Sequence, residues 1–340
     1  MNTFITDSWN QYLGSFQPYE MDVYYFEEYV KAYESPSKVA KCIICIDEKK
    51  IMLMPFLQMS FNDLFDFETP YGYGGPISNT HDKEWNCKAL QSISETFRNN
   101  GFLCGFVRFH PLLKNYQENS IGLDSQFNRK TVFIDTSVSN DEIWEKQIIS
   151  KNRNMIRKAI NHGLTFIADY SFEYLKDFIS IYNATMQRLE ADSFYFFDQE
   201  YYVKLCKSLR NKVFLGVVKK DDEVISAAIF MHNSYYGQYH LAGSKRDFSN
   251  LGANNFLLWN AALELKSLGV KQFHLGGGYN SHSDNSLYKF KKAFSNNEAE
   301  FYIGKWIFNQ QKYDILKSEW EAKYPEKKDK YGDFLLFYRY

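Results

Sequence analysis

Residues 213–241 read VFLGVVKKDDEVISAAIFMHNSYYGQYHL, and this stretch decides the fold. Three apolar runs, Val213–Val218, Val224–Met231 and Tyr235–Leu241, are split by Lys219-Lys220-Asp221-Asp222 and by Asn233-Ser234. Short β-rich runs joined by brief polar breaks predict an antiparallel meander. Downstream, Ala253–Leu268 carries Phe256, Leu257, Trp259, Ala261, Leu263, Leu265 and Leu268. A helix apolar nearly all round is a buried one, and Gly269 closes it. A strand at Gln272–Leu275 runs into Gly276-Gly277-Gly278, followed by a helix at Asn285–Phe294 and a strand at Glu300–Phe308. Upstream lie a strand at Leu164–Asp169 and helices at Phe172–Glu190 and Asp198–Arg210. The second half therefore reads β, α, α, β, β, β, α, β, α, β.

The first half gives a worn version of the same plan. After a short helical start and a helical stretch at Met21–Glu34, a hairpin forms from Lys38–Asp47 and Lys50–Met59 around Asp47-Glu48-Lys49-Lys50. The loop Thr69-Pro70-Tyr71-Gly72-Tyr73-Gly74-Gly75-Pro76 precedes a helix at Asp82–Asn100, ended by Gly101, and a buried strand at Phe102–Phe109, stopped by Pro111. A strand at Lys130–Thr136 leads into one long basic helix opened by Ser139-Asn140-Asp141-Glu142 and ended at Gly163. The tail, Asn309–Tyr340, carries an amphipathic helix and is expected to pack back on the first domain.

Composition bounds the function. A chain of 340 residues predicts two domains, and 45% hydrophobic with 24% charged residues is the balance of a folded globular protein. A net charge of −1 excludes a general polyanion binder, so a nucleic-acid partner needs a local basic patch and no DNA partner is expected. Five cysteines, an odd number without a framework, fit a reducing cytoplasm. The start MNTFITDSWNQ has no signal-peptide pattern, and the longest uncharged stretch, Val224–Ser244, interleaves too many polar residues for a membrane span. A cytoplasmic protein is the expectation.

Three antiparallel strands, a helix and a strand returning beside them resemble the GNAT acyltransferase plan, here present twice. The motifs narrow the resemblance. A strand ending in Ile134-Asp135, then Trp144, then Arg153-Asn154-Met155-Ile156-Arg157-Lys158-Ala159 with Gly163 resembles a junction of the Fem-type family, the bacterial peptidoglycan-bridge aminoacyltransferases. Thr185-Met186-Gln187-Arg188 is similar to that family's Thr-x-x-Arg, and Leu287-Tyr288-Lys289-Phe290-Lys291 to its Leu-Tyr-x-Phe-Lys. Val107-Arg108-Phe109-His110-Pro111 stands where the family has Arg-x-Asp-Pro, with His110 in place of the acid. The resemblance covers residues 100–305 well and the first hundred more loosely. It implies an α/β (α+β) protein of two GNAT-like domains, 1–145 and 146–305, with mixed, largely antiparallel sheets, a cleft between them, and the tail 306–340 on the first.

Acyl transfer to an amine needs a neutral nucleophile, a polarised carbonyl and a proton donor for the leaving group. An alkyl amine with a pKa of about 10.4 is almost wholly protonated at pH 7, so a base or desolvation must help. His110 is the candidate base; its other reading is a structural histidine. Tyr288 is the candidate general acid, against a plain core aromatic. On the third meander strand Tyr239 and Tyr236 point to opposite faces, and Tyr239 is expected at the substrate. Arg108 and Arg188 are expected to grip anionic acceptor groups. Lys289 and Lys291, with Lys292 on the same helix, could bind a diphosphate or form a solvated face. Gly276 and Gly277 let a substrate approach the backbone. Arg153 and Arg157, in the strongest basic stretch, are the candidate contacts to transfer RNA, or form an exposed connector.

Other motifs are excluded. Gly276-Gly277-Gly278 is neither a P-loop nor a dinucleotide fingerprint. Cys42-Ile43-Ile44-Cys45 lies in a strand pattern without a second pair, so no metal site is expected. No Gly-x-Ser-x-Gly or His-Glu-x-x-His occurs. The stretch Ser249-Asn250-Leu251-Gly252-Ala253-Asn254 departs from the usual coenzyme A loop at Ser249 and Asn254, although a helix N-terminus still offers N–H groups to a pyrophosphate. The resemblance implies an N-acyltransferase acting on an amine of a cell-envelope precursor, a nucleotide- or lipid-linked sugar or a peptidoglycan peptide. Its donor co-substrate would be acyl-CoA or aminoacyl-tRNA, with no tightly bound cofactor. The alternative of another class is a non-catalytic ligand-binding or scaffold protein that keeps the fold.

Overall fold

The computed structural model describes residues 1–116, 123–280, 282 and 284–340. The chain divides into two compact units, Met1–Asn128 with Glu300–Tyr340, and Arg129–Ala299. The strands in chain order are β1 (Asn2–Thr6), β2 (Val39–Asp47), β3 (Lys50–Phe61), β4 (Leu64–Glu68), β5 (Ile77–Ser78), β6 (Phe102–Arg108), β7 (Leu123–Asp135), β8 (Leu164–Asp169), β9 (Val213–Lys220), β10 (Glu223–His232), β11 (Tyr236–Ser244), β12 (Gln272–Gly277) and β13 (Glu298–Ile307). The expected boundaries were 145 and 305, whereas the division falls inside β7 and β13, strands that each run from one unit into the other.

In the first unit the neighbours run β1-β2-β3-β4-β6-β13, antiparallel except for β4 and β6. In the second they run β7-β12-β11-β10-β9-β8, antiparallel except for β11 and β12. The mixed, largely antiparallel architecture expected from the sequence is thus present. The meander places Phe214, Val218, Ala228 and Phe230 against Leu257, Leu258, Ala261 and Leu265 of the helix Ala253–Ser267, all fully buried or nearly so. In the first unit Phe56, Phe67, Phe97, Phe102 and Phe308 share one core, which explains much of the aromatic content.

Three local expectations change. The chain starts as a strand, because Asn2-Thr3-Phe4-Ile5-Thr6 is rich in β-branched residues and pairs with the edge of β2. Met21–Glu34 holds only a tight turn, Val23–Tyr25, and the short helix Glu27–Lys31, separated by an extended Phe26. The single basic helix is broken: a wide turn at Ile143–Gln147 ends at an extended Ile148, and a new helix covers Ser150–Asn161. The break is held by Arg153, whose Nη1 donates to the carbonyls of Trp144, Glu145 and Ile148 at 3.0, 3.1 and 2.8 Å. Those are acceptors that a helix end leaves open.

The tail packs on β6 of the first unit. Tyr313, Trp320, Leu335 and Phe337 pack on Leu103 and Cys104 of β6. Arg339 meets the buried Asp66 of β4 through Nε at 3.0 Å and Nη2 at 2.7 Å, and the Tyr338 hydroxyl donates to the same carboxylate at 2.7 Å.

Candidate active site

In the second unit the parallel pair β11 and β12 matches Tyr236 with Gln272, Gly237 with Phe273 and Gln238 with His274. Beyond Gln238 the ladder stops among the described residues, although β11 continues to Ser244 and β12 to Gly277. At the same point the register of β11 on β10 slips: Ile229 faces Leu241 and Phe230 faces Tyr239, which leaves His240 bulged. Two parallel strands that part leave backbone N–H and C=O groups for a guest, and a bulge re-aims the side chain it carries. This fork is the candidate site.

Lys291, on the helix Ser286–Lys292, lies across it. Its Nζ donates to the Gly277 carbonyl at 2.8 Å and stands 5.8 Å from the centre of the Tyr239 ring. Tyr239 stacks on Phe230, and burial holds its hydroxyl well above the usual phenol range. Arg129 of β7 donates through Nη1 to the Gly278 carbonyl at 2.6 Å. Lys291 is buried, and that burial, with the Arg129 charge beside it, pushes its ammonium down to about 7. A lysine with such a value is half neutral in the physiological range, which suits proton transfer. The glycine run is packed rather than open: a Cβ on Gly277 would lie 2.8 Å from the Lys130 carbonyl, and one on Gly278 2.5 Å from the Asn285 side chain. Its carbonyls, more than its missing side chains, form the site.

Tyr288 donates its hydroxyl hydrogen to Glu298, which also pairs with Lys292 at 3.2 Å and Lys130 at 3.3 Å. Burial, then the hydrogen bond and charge of Glu298, hold Tyr288 well above the usual phenol range. It keeps its proton near neutrality, and that proton is committed to a carboxylate. Lys289 is exposed, so the three lysines of this helix have three different surroundings. On the bulge, His240 Nε2 lies 2.9 Å from the Tyr201 hydroxyl, and burial pushes the imidazole down to about 3, leaving it neutral at pH 7.

Several expected site residues are engaged elsewhere. His110, in the first unit, is fully buried; its Nδ1 accepts the Leu113 N–H at 3.1 Å and its Nε2 lies 2.7 Å from Asp22 Oδ2, also fully buried. Because Nδ1 accepts, the proton sits on Nε2 and points at Asp22. His110 therefore holds a carboxylate and is not, as placed, a base that meets substrate. Asp22 was missed because nothing local in the sequence links it to a residue 88 positions away. Arg108 is tied to Glu68 Oε2 at 3.1 Å and to the Thr69 carbonyl, so it fastens β6 to β4 rather than gripping an acceptor. Arg153 is the cap described above, whereas Arg157 is exposed and stands 5.3 Å over the Trp144 ring. Arg188 is exposed at a helix end and reaches the Ser244 carbonyl at 3.3 Å, while Thr185 Oγ1 accepts the Ser244 N–H at 3.1 Å. The Thr-x-x-Arg pair thus clips the helix to the far end of β11.

Gly252 takes φ +77° at the start of the helix Ala253–Ser267, where a Cβ would lie 2.5 Å from the Met155 carbonyl. Only glycine fits there. Asn254 is bound to Ser226 at 2.7 Å and Ser244 at 3.3 Å, which gives a structural reason for the departure from the usual coenzyme A loop.

Residues 150–292 match the acetyltransferase (GNAT) domain family, so the second unit carries a GNAT domain. Among solved structures, the chain is similar to FemX, with a TM-score of 0.72 and 14% identity over 93% of this chain and 100% of that one. It is also similar to L-PGS from Bacillus licheniformis, with a TM-score of 0.54 and 13% identity over 82% and 87%. A C-terminal domain from Agrobacterium fabrum, described as that of a lysylphosphatidylglycerol synthetase, gives a TM-score of 0.53 and 14% identity over 83% and 87%. At these identities the likeness is one of fold, and the fold of FemX extends over both units. No curated protein matches the chain. Among the described residues no helix is long and apolar enough to cross a membrane.

Proposed function

We propose that the protein is an N-acyltransferase that transfers an acyl or aminoacyl group from a thioester or an aminoacyl-tRNA to an amine of a cell-envelope precursor. The carrying observation is the fork between β11 and β12 with the buried Lys291 across it. The acceptor amine attacks the donor carbonyl lying in the fork. Lys291, neutral in part near pH 7, takes the proton released by the amine and returns it to the leaving sulfur or oxygen. Backbone N–H groups of the parted strands stabilise the carbonyl oxygen as it gains charge. Tyr288, protonated and hydrogen-bonded to Glu298, supports the same helix and could share in protonating the leaving group.

Acceptor binding is assigned to Arg188, with Tyr239 and the exposed Lys289 nearer the donor end. Its exposed guanidinium can form a bidentate pair with a phosphate or carboxylate while keeping its bond to Ser244. If the donor is an aminoacyl-tRNA, the exposed Lys151, Arg157 and Lys158 supply its basic face.

Incubation of the protein with acyl-CoA or aminoacyl-tRNA and a pool of nucleotide-linked amino sugars and peptidoglycan precursors tests the proposal. The expected result, read by mass spectrometry, is one acyl increment on an acceptor amine that is lost in Lys291→Met. Saturable donor and acceptor binding without any increment would instead establish a non-catalytic binding protein.

A further inference from the structure

In the acyltransferase reading above, on which this inference rests, Lys291 works only if its helix holds one orientation. The helix Ser286–Lys292 has seven residues, too few to persist in water by itself. Phe290 and, just past its end, Phe294 pack on the core of the second unit. Apolar contacts have no direction, however, and leave a short helix able to turn about its axis. Direction comes from polar contacts at three places. At the start, the buried Asn285 accepts the Tyr288 N–H at 3.1 Å and donates to Asn280 at 2.8 Å. On one side Tyr288 and Lys292, a turn apart, both end on the same oxygen of Glu298, the first residue of β13. From the adjoining side, about 60–100° round the helix, Lys291 reaches the Gly277 carbonyl at 2.8 Å. Lys130 of β7 meets the other Glu298 oxygen at 3.3 Å and steadies the carboxylate. Among the described residues no other carboxylate meets Tyr288 or Lys292.

We propose that Glu298 is a positioning residue: by gripping Tyr288 and Lys292 it fixes how the helix is turned, and so keeps Lys291 on the Gly277 carbonyl. Glu298 acts here through the helix and not through its charge, and the two roles have opposite signs. A carboxylate acting by its charge would favour the Lys291 ammonium, so its removal would loosen the Lys291 proton. A carboxylate that holds the helix keeps Lys291 in its dry place. Its removal would let the ammonium reach water and hold the proton more tightly. Burial and Arg129 set Lys291 at about 7 against the ordinary 10.5, which leaves a wide interval for such a rise.

NMR titration of the full-length protein carrying isotope-labelled lysine tests this, with Lys291→Met identifying the Lys291 signal. In the wild type that signal is expected to titrate at about 7. In Glu298→Ala it should titrate higher, its proton bound at least about tenfold more tightly, with Tm near wild type because the carboxylate is exposed. Glu298→Gln keeps an acceptor for the Tyr288 hydroxyl and should recover most of the wild-type value. The double variant Tyr288→Phe with Lys292→Met removes the grip from the helix side. It should reproduce Glu298→Ala, and it answers the question if that variant does not fold. A Lys291 value that is unchanged or lowered in these variants overturns the proposal. A wild-type value already near 10.5 does so too, since there would be no placement to lose. Transfer is a separate readout: Glu298→Ala should lose about 10- to 100-fold in kcat with donor KM within about twofold, and an unchanged kcat overturns the proposal. A wild type that binds donor and transfers nothing overturns the acyltransferase reading instead, and the titration still decides what Glu298 does.

Discussion

Replacing Lys291 with Met should make the protein more stable while abolishing transfer. The ammonium is buried, and its value drops from 10.5 to about 7 on folding. At about 1.36 kcal/mol per pKa unit, the charged form is disfavoured in the folded state by up to about 4–5 kcal/mol. Below pH 7 both states hold the proton and the full penalty applies. Between pH 7 and 10.5 the unfolded chain binds one more proton than the folded one, so wild-type stability rises with pH through this window. Met keeps the length and apolar stem of the side chain but gives up the hydrogen bond to the Gly277 carbonyl, worth about 1 kcal/mol. Incomplete burial of the stem's end and a more compact unfolded chain reduce the difference further. The net gain expected for Lys291→Met is about 1–3 kcal/mol at pH 6.5, shrinking to near zero by about pH 9.5. Urea unfolding of both proteins at pH 6.5, 7.5, 8.5 and 9.5, followed through the transition of the second unit, measures it. A destabilised Lys291→Met protein whose pH dependence parallels wild type would refute the reasoning, because Lys291 would then be an ordinary cation stabilised where it stands. A stabilised but inactive protein would show a site that trades stability for reactivity.

Three further outcomes follow from the contacts. His110→Ala should cost about 1.5–3 kcal/mol in the first unit, since it removes the ring N–H that the buried Asp22 Oδ2 accepts; a folded variant of wild-type stability with a shifted pH–rate profile would return His110 to the role of base. Arg339→Ala should cost about 3 kcal/mol by leaving Asp66 buried against Tyr338 alone, with Arg339→Lys recovering part; a loss under about 0.5 kcal/mol by urea titration would mean the tail is not a clasp. Arg188→Ala should lower acceptor kcat/KM by about 10- to 150-fold, the equivalent of about 1.5–3 kcal/mol, with Tm and donor affinity near wild type. Kinetics unchanged within about twofold would leave it as a surface clip on Ser244.

By itself, the sequence determined the order of elements. The meander at residues 213–241, the buried helix after it and the strand running into Gly276-Gly277-Gly278 are all present, because apolar periodicity and turn residues act between neighbours along the chain. Residue types on one short helix also suggested Lys291 as a diphosphate contact and Tyr288 as a general acid, without the burial that sets Lys291 apart from its neighbours. The sequence failed where a local pattern had two outcomes. The basic stretch from Ser139 to Gly163 has the periodicity of one helix, and only the reach of Arg153 back to three carbonyls breaks it in two. Tertiary structure alone decided the chemistry of each side chain. Charge state and availability depend on what lies opposite, and the partners are far apart in sequence: Asp22 and His110 by 88 positions, Asp66 and Arg339 by 273. Arg108 has the sequence pattern of a substrate contact but is tied down by Glu68, while Lys291, one of three lysines on its helix, is buried and made labile by folding. A side chain's type is written in the chain, but its desolvation and its neighbours' charges exist only once distant segments have met.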